Sequence, residues 1–235
     1  MKLEHAPQTS YEDVGGGQVL HSAPGFPGFP ARLAVELFER ARLLVGRDRV
    51  GLWDPMCGAG GILTSVALLR RDALTRVLAS DVDEGALGLA QKNLLLATGD
   101  GLEARRAELV ARGAAAARVA SADRLLRRVA GAPPLPTSVC RADVTDPGSV
   151  AALDLAGVDV VMADLPYGTQ TDWSSASSAP TARALEVLDG ALPPGAVVVL
   201  STTEREHLRG LPDATRSFKH GHRLVRLYQT GSRPR

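Results

Sequence analysis

The segment VDVVMADLPYG, residues 158–168, holds an apolar run that ends in an acid, a proline and an aromatic residue. The apolar run, residues 158–163, is typical of a buried strand in a parallel sheet. Because open parallel sheets build their sites at the carboxyl ends of strands, the segment predicts a site as well as a strand. Asp164 and Tyr167 at this place suit a flat nitrogen heterocycle, with the acid accepting from its exocyclic amine. Taken alone, the segment could also be a tight turn with a capping acid.

Strand-like and helix-like segments alternate along the chain on both sides of this segment. Helices are predicted at residues 31–44, 62–71, 83–96 and 181–192. Other strands are predicted at residues 49–56, 76–81, 138–144 and 196–201, and two shorter ones at 215–219 and 223–228. The last two are separated by His-Gly-His, which predicts a C-terminal antiparallel hairpin. The alternation predicts an α/β fold with a mostly parallel sheet.

The length and composition predict one domain over residues 1–235. Residues 1–48 would form an arm and a first helix, and residues 101–136 a helical insertion. No run of about 18 apolar residues is present, so no membrane span is expected. Two cysteines are too few for a disulfide framework or a cysteine-rich metal site, and the scattered histidines predict no metal. The first residues lack the apolar stretch of a secretory signal, so we expect a cytoplasmic protein, and a monomer.

A glycine-rich segment, DPMCGAGG, follows the first predicted strand at residues 54–61. Glycines there allow a backbone to approach a ligand closely, although a plain strand-to-helix turn would use them too. The pattern is neither G-x-G-x-x-G nor a P-loop, which argues against a dinucleotide or a nucleoside triphosphate as ligand. Cys57 lies inside this loop, where a small packing residue is a better interpretation than a nucleophile.

Acids end four successive predicted strands, at Asp54, Asp81, Asp143 and Asp164. Asp81 lies about 20 residues beyond the glycine loop, the offset at which such folds place a carboxylate on ribose hydroxyls. Asp83 would cap the next helix, although the two acids could exchange roles. Asp143 could accept from an adenine amino group, or it could be a turn acid before Thr-Asp-Pro-Gly. Together, the four acids predict a single pocket.

Three motifs carry a resemblance to class I S-adenosylmethionine-dependent methyltransferases over roughly residues 50–201. DPMCGAG resembles their glycine-rich cofactor motif, SDVD their ribose-binding acid, and DLPYG their catalytic [DN]-P-P-[YFW] motif. Leu165 replaces the first proline, which is most similar to enzymes acting on the exocyclic amine of guanine in RNA. Longer segments, including APGFPGFPARLAVELFERA and DLPYGTQTDW, resemble the AviRa family of avilamycin-resistance 23S rRNA methyltransferases. The resemblance implies a Rossmann-like fold, S-adenosylmethionine as cofactor, 23S rRNA or the large ribosomal subunit as partner, and resistance to an orthosomycin.

The same resemblance implies a role for each motif residue. The cofactor would be held by Asp54, Cys57, Gly58 and Gly60 at its methionine moiety, by Asp81 at its ribose, and by Asp143 and Val144 at its adenine. Asp164 and the Leu165 carbonyl, fixed by Pro166, would accept hydrogen bonds from the target amine. Tyr167 would stack on the extruded base. Alignment with an activated methyl group would supply much of the rate, so no strong general base is expected.

Arginines in the insertion and aromatic residues in the arm are further candidates. RNA phosphates could be contacted by Arg105, Arg106, Arg127 and Arg128, because guanidinium groups bind phosphate in a bidentate manner. A solvated helix face is the alternative. Phe26, Phe29 and Arg32 could close over the cofactor or only pack the arm on the sheet. Trp53 is expected in the core, and Trp173 either in the core or against the base.

Two rival functions remain open at this point. One is methylation of another amine, such as DNA adenine or a protein glutamine amide. Asp at position 164 and Leu at 165 argue against the glutamine enzymes. The other is an RNA-binding module without catalysis, which the intact Asp164 and Tyr167 disfavour.

Overall fold

A computed structural model describes residues 2–15, 17–165 and 179–231. Within those ranges seven strands form one sheet in the order β3-β2-β1-β4-β5-β7-β6. The strands are β1 Val50–Asp54, β2 Leu74–Asp81, β3 Thr137–Arg141, β4 Val158–Asp164, β5 Val197–Thr202, β6 Arg216–His220 and β7 Arg223–Gln229. The helices are α1 Ala31–Val45, α2 Gly61–Leu69, α3 Glu84–Leu95, α4 Gly99–Ala111, α5 Ala116–Val129, α6 Pro147–Ala151 and α7 Pro180–Ala191. None of these helices has the length and apolar character needed to span a bilayer.

Strands β1 to β5 run parallel, and β7 and β6 are the antiparallel C-terminal pair. The predicted α/β fold with a mostly parallel sheet and a C-terminal hairpin is therefore confirmed. The chain proceeds from β1 to β2 on one side, whereas β4 lies on the other side of β1. This reversal between β1 and β4 is the point at which open parallel sheets leave a crevice at their carboxyl edge.

The apolar run of β4 is buried on both sides of the sheet. Val160 and Met162 belong to a core cluster with residues of α1 and α2, whereas Val161 and Ala163 belong to a second cluster with residues of α7. A strand covered by helices on both faces needs apolar residues at consecutive positions, which explains the unbroken run. Trp53 is also buried there, with its Nε1 donating to the Ser80 hydroxyl at 3.0 Å, so its predicted place in the core is confirmed.

The structure adds detail to two predicted segments and corrects the end of the third strand. The insertion is two helices, α4 and α5, because the chain turns at Gly113, whose φ of 63° is in the left-handed region. The segment after Thr145 is not only a turn: it starts α6, capped by the Asp146 carboxylate, which accepts from the amides of Gly148 and Ser149. The third strand ends at Arg141 rather than at residue 144, because Asp143 turns the chain towards α6.

Candidate active site

A cavity of about 920 Å³ lies at the carboxyl edge of the sheet, between the strand ends and the N-terminal arm. Its size is in the range of small-molecule and cofactor sites. The predicted site residues that line it are Asp54, Cys57, Gly58, Asp81, Asp143, Val144, Asp164 and Leu165. Gly60 lies in the same loop but is not in the lining. Pro166, Tyr167 and Trp173 fall outside the described residues.

The glycine loop has two positions where only glycine fits easily. Gly58 has a φ of 50° and Gly60 one of 73°, a region that L-residues with side chains rarely adopt. A Cβ on Gly60 would also lie 3.1 Å from the Cα of Ala90 in α3, so this glycine allows α3 to approach closely. Gly58 therefore shapes the cavity wall, and Gly60 sets the packing behind it.

Asp83 has the capping role that was predicted for it, whereas the ribose-binding role of Asp81 stays a prediction. The Asp83 carboxylate accepts from the amide of Ala86 at 2.9 Å and caps α3. The Asp81 carboxylate accepts from the amide of Gly58 at 2.8 Å and from that of Asp83 at 3.1 Å. These bonds hold the Asp81 carboxylate at the cavity wall, next to the glycine loop.

Asp143 closes a turn and lines the cavity at the same time. Its Oδ1 accepts from the amide and the hydroxyl of Thr145, at 2.8 and 2.7 Å. The backbone amide of Asp143 donates to Ser149 Oγ at 2.9 Å, which fixes the turn to α6. Val144 is buried beside it. Asp143 is thus a turn acid, as the alternative interpretation predicted. The turn leaves its carboxylate in the cavity lining.

Asp54 and Cys57 are deeply buried at the floor of the cavity. Asp54 accepts from the amide of Met56 at 3.1 Å, and burial raises its pKa well above the usual range, with the negative charges of Asp81 and Asp164 adding to the effect. Burial also raises the pKa of the Cys57 thiol, so the thiolate that a nucleophile requires is disfavoured. The packing interpretation of Cys57 is the one that the structure supports.

Asp164, the last residue of β4, is mostly buried and is paired with a cation that the sequence did not single out. Arg223 Nη1 donates to Asp164 Oδ1. Burial raises the pKa of Asp164 to about 6, against the lowering effects of the Arg223 charge and of hydrogen bonds from Ser201 and Arg223. The carboxylate is therefore the main form at neutral pH, and it can take up a proton at moderate acidity.

The N-terminal arm forms one wall of the cavity. Phe26 and Phe29 are in the lining, whereas Arg32 is not. Asn93 of α3, fully buried, fastens the arm: it accepts from the amide of His21 at 2.7 Å and donates to the carbonyls of His21 and Ala59, at 3.0 and 2.8 Å. One side chain thus joins the arm to the glycine loop.

Several arginines of the insertion hold the arm from its other side. Arg105 is buried and donates to the carbonyl of Val19 at 2.7 Å and to Glu108 at 2.6 Å. Arg118 donates to the carbonyls of Gly17 and Gln18, and Arg124 pairs with Asp13. The insertion therefore anchors the arm that lines the cavity.

This arrangement changes the prediction for the four arginines that were expected to contact RNA. Arg105 does not fit that role, because its guanidinium is buried and bonded within the protein. Arg128 donates to the carbonyls of Leu68 and Leu69 and so holds α5 against α2. Arg106, which pairs with Asp123, is exposed, and so are Arg127 and Arg128. For these three, RNA contact stays a prediction.

Replacing Arg105 with methionine is expected to lower the free energy of unfolding by about 1–3 kcal/mol, because a buried carbonyl of the arm loses its donor. Arg106→Gln, one position further in α4, is the matched control: its pair is half exposed, so a loss below about 1 kcal/mol is expected. Urea unfolding of both variants measures the difference. Equal losses in the two would contradict the anchoring role of Arg105.

The chain is similar to known proteins over most of its length. The family model described as rRNA methyltransferase AviRa matches residues 1–223. A 23S rRNA (guanine(2535)-N(1))-methyltransferase of Streptomyces viridochromogenes is 44% identical over 205 residues, which cover 83% of this chain and 82% of that protein.

Solved structures give a consistent result. The rRNA methyltransferase aviRa of Streptomyces viridochromogenes superposes with a TM-score of 0.82 at 40% identity, covering 96% of this chain and 95% of that one. TrmN from Thermus thermophilus, at 21% identity and a TM-score of 0.51, covers 86% of this chain and 49% of its own and supports the fold alone. The family match over residues 1–223 and the 44% identity to the Streptomyces enzyme lead to one assignment: this chain belongs to the AviRa family of rRNA methyltransferases.

Proposed function

We propose that this protein transfers a methyl group from S-adenosylmethionine to N1 of a guanine in 23S rRNA. The observation that carries the proposal is the carboxylate of Asp164, held at the carboxyl edge of β4 inside the cavity. The family assignment supplies rRNA as the substrate class, and the Streptomyces relative is named for the N1 position of a guanine.

The cavity fits the proposed cofactor in size and in chemistry. Asp81 would bind the ribose hydroxyls, and Asp143 with Val144 the adenine. The methionine moiety would be bound by Asp54, Cys57 and Gly58, with Gly60 shaping the loop from behind. Acids around the cavity suit a cationic ligand, because opposite charges attract strongly where water is partly excluded. S-adenosylmethionine would supply a methyl group already activated by its positively charged sulfur.

Methylation at N1 requires Asp164 to do more than accept a hydrogen bond, which is the role expected with an exocyclic amine. Guanine N1 bears a hydrogen at neutral pH and its nitrogen pair is delocalised into the ring, so the proton must leave as the new bond forms. A carboxylate with a pKa of about 6 is ionised at neutral pH and basic enough to accept that proton. No strong general base is expected from the activated methyl group alone, but an activated methyl group does not remove the proton from N1. For N1 we assign Asp164 the role of general base.

The partner would be 23S rRNA, free or in the large ribosomal subunit, and the modified base would protect the ribosome from an orthosomycin. Exposed Arg106, Arg127 and Arg128 remain candidates for phosphate contacts, which would weaken as salt rises. Methylation of DNA adenine or of a glutamine amide, and RNA binding without catalysis, are the alternatives that the experiment must separate.

The decisive experiment offers the protein labelled S-adenosylmethionine together with 23S rRNA, large subunits, DNA or a protein mixture. We expect label in rRNA alone. Primer extension should then stop at one guanine, because a methyl on N1 blocks base pairing, and nucleoside mass spectrometry should identify 1-methylguanosine. Label in DNA or protein, or no transfer to rRNA in either form, would reject the proposal.

A further inference from the structure

Arg223 contacts the cavity residue Asp164 from a strand that the family motifs do not include, although Arg223 is not itself part of the cavity lining. It is the first residue of β7, and β7 runs antiparallel to β5, with Leu224 opposite Thr202. An antiparallel strand begins at the edge where its neighbour ends. The start of β7 therefore lies at the same edge of the sheet as the end of β4, which carries Asp164.

Within the described part of the chain, the guanidinium of Arg223 contacts β4, β5 and the N-terminal arm. Its Nη1 donates to Asp164 Oδ1 on β4 and lies 3.5 Å from Ser201 Oγ on β5. Its Cζ lies 4.6 Å from the centroid of the Phe29 ring on the arm, a distance typical of a cation–π contact. The Arg223 side chain is only 12% exposed and that of Asp164 17%. A planar cation held in this way presents its donors in a fixed direction.

Asp164 and Arg223 together present an acceptor beside a donor. An ionised carboxylate only accepts hydrogen bonds, and a guanidinium only donates them. The Watson–Crick edge of guanine presents the complementary order, with the N1–H donor beside the O6 acceptor. Adenine presents the opposite order, with an N1 acceptor beside the amino donor at position 6. The pair thus matches guanine and mismatches adenine.

We propose that Arg223 and Asp164 act as a guanine-reading pair, in which Arg223 donates to O6 while Asp164 accepts the N1 proton. This inference rests on the proposed function and names a residue and a specificity within it. The N1–H bond breaks and its proton goes to Asp164, and the electron pair left on N1 forms the bond to the methyl carbon. The electron pair of the broken carbon–sulfur bond stays on the sulfur of S-adenosylmethionine.

The cation serves the reaction in a second way. As the proton leaves N1, negative charge develops on O6, and a preorganised donor at that atom stabilises the transition state. In addition, the Arg223 charge works against the burial that raises the pKa of Asp164. Without Arg223, that pKa should lie higher, and less of the carboxylate would be ionised at neutral pH.

Three variants test the pair. Arg223→Gln removes the charge and the fork of donors, Arg223→Lys keeps the charge without the planar fork, and Arg226→Gln is the matched control on the same strand. Arg226 donates to the carbonyl of Leu208 and to the hydroxyl of Tyr228, whereas Arg223 donates to Asp164. We expect kcat on an rRNA fragment to fall by about 10²–10³-fold in Arg223→Gln, the loss seen when one oxyanion donor is removed. The kcat of Arg223→Lys should lie between those of the wild type and Arg223→Gln, and the kcat of Arg226→Gln should stay near that of the wild type.

Two further readouts separate a direct role from a structural one. The first is the ¹³C carboxyl titration of Asp164 without cofactor, expected near 6 in wild type and higher in Arg223→Gln. The second is an RNA fragment with 6-thioguanine at the target, where sulfur is a poorer acceptor than O6. The sulfur substitution should lower the rate of methyl transfer by the wild type. It should have much less effect on the rate of Arg223→Gln, because that variant has already lost the guanidinium donor to position 6.

The outcomes distinguish this inference from the proposed function. If wild-type protein leaves rRNA unmethylated, the proposed function itself is wrong. If the wild type methylates rRNA but the sulfur substitution slows wild type and Arg223→Gln equally, Arg223 does not read O6 and the inference is wrong. Loss of activity in Arg223→Gln with an unchanged titration of Asp164 and equal sulfur effects would assign Arg223 a purely structural role and also overturn it.

Discussion

Asp164→Asn should reduce methyl transfer to rRNA by about 10²–10⁴-fold, the usual contribution of a general base. Asparagine keeps the shape of the side chain and can still accept a hydrogen bond, but it cannot take up the N1 proton. The affinity for S-adenosylmethionine should change little, so the loss should be in kcat. Single-turnover rates with saturating cofactor measure the effect.

The pH dependence of methyl transfer by the wild type is a second test of Asp164 as the general base. Asp164 works as the carboxylate, and burial raises its pKa to about 6. Activity should therefore fall as the pH drops through about 6, and this acidic limb should be absent from the residual activity of Asp164→Asn. Asp213→Asn, an exposed acid before β6, is the control and should behave like wild type. Near-normal turnover in Asp164→Asn would exclude Asp164 as the base.

Asp81→Ala is expected to weaken the binding of S-adenosylmethionine by roughly 10²–10⁴-fold. Two hydrogen bonds from ribose hydroxyls to a carboxylate contribute about 1.5–3 kcal/mol each. The same change also releases the amide of Gly58, which the Asp81 carboxylate holds in place. Isothermal titration with the cofactor alone measures this loss without any RNA.

Asp83→Asn is the matched variant, because asparagine caps a helix as well as aspartate does. The Asp83 side chain is already engaged with the amide of Ala86 at the start of α3, so cofactor affinity should stay within a few-fold of wild type. If instead Asp83→Asn abolished binding and Asp81→Ala did not, the two acids would have the exchanged roles.

The strands and their terminal acids could be predicted because they depend on local pattern. A strand such as β4, covered on both faces, shows an unbroken apolar run, and parallel strands all end at one edge. Asp54, Asp81 and Asp164 were therefore expected at one edge of the sheet once the strands were assigned.

Contacts between distant segments could not be predicted in this way. Arg223 meets Asp164 only because β7 is inserted between β5 and β6, and a sequence pattern does not give strand order. Asn93 reads as an ordinary polar residue of a helix, yet it is buried between the arm and the glycine loop. The arginines of α4 and α5 have the composition of an RNA-binding face, but several of them hold the arm.

Asn93 has a consequence for how the protein responds to its cofactor. Its single amide group bonds both to Ala59 in the glycine loop and to His21 in the arm, so these two segments are mechanically coupled. Binding of S-adenosylmethionine that stiffens the loop should therefore also slow amide hydrogen exchange around His21. Asn93→Ala should weaken that effect, leaving only the protection that a ligand gives to the arm by direct contact in the cavity. In the wild type, the N-terminal arm would act as a sensor. Its mobility would report whether the cofactor cavity is occupied.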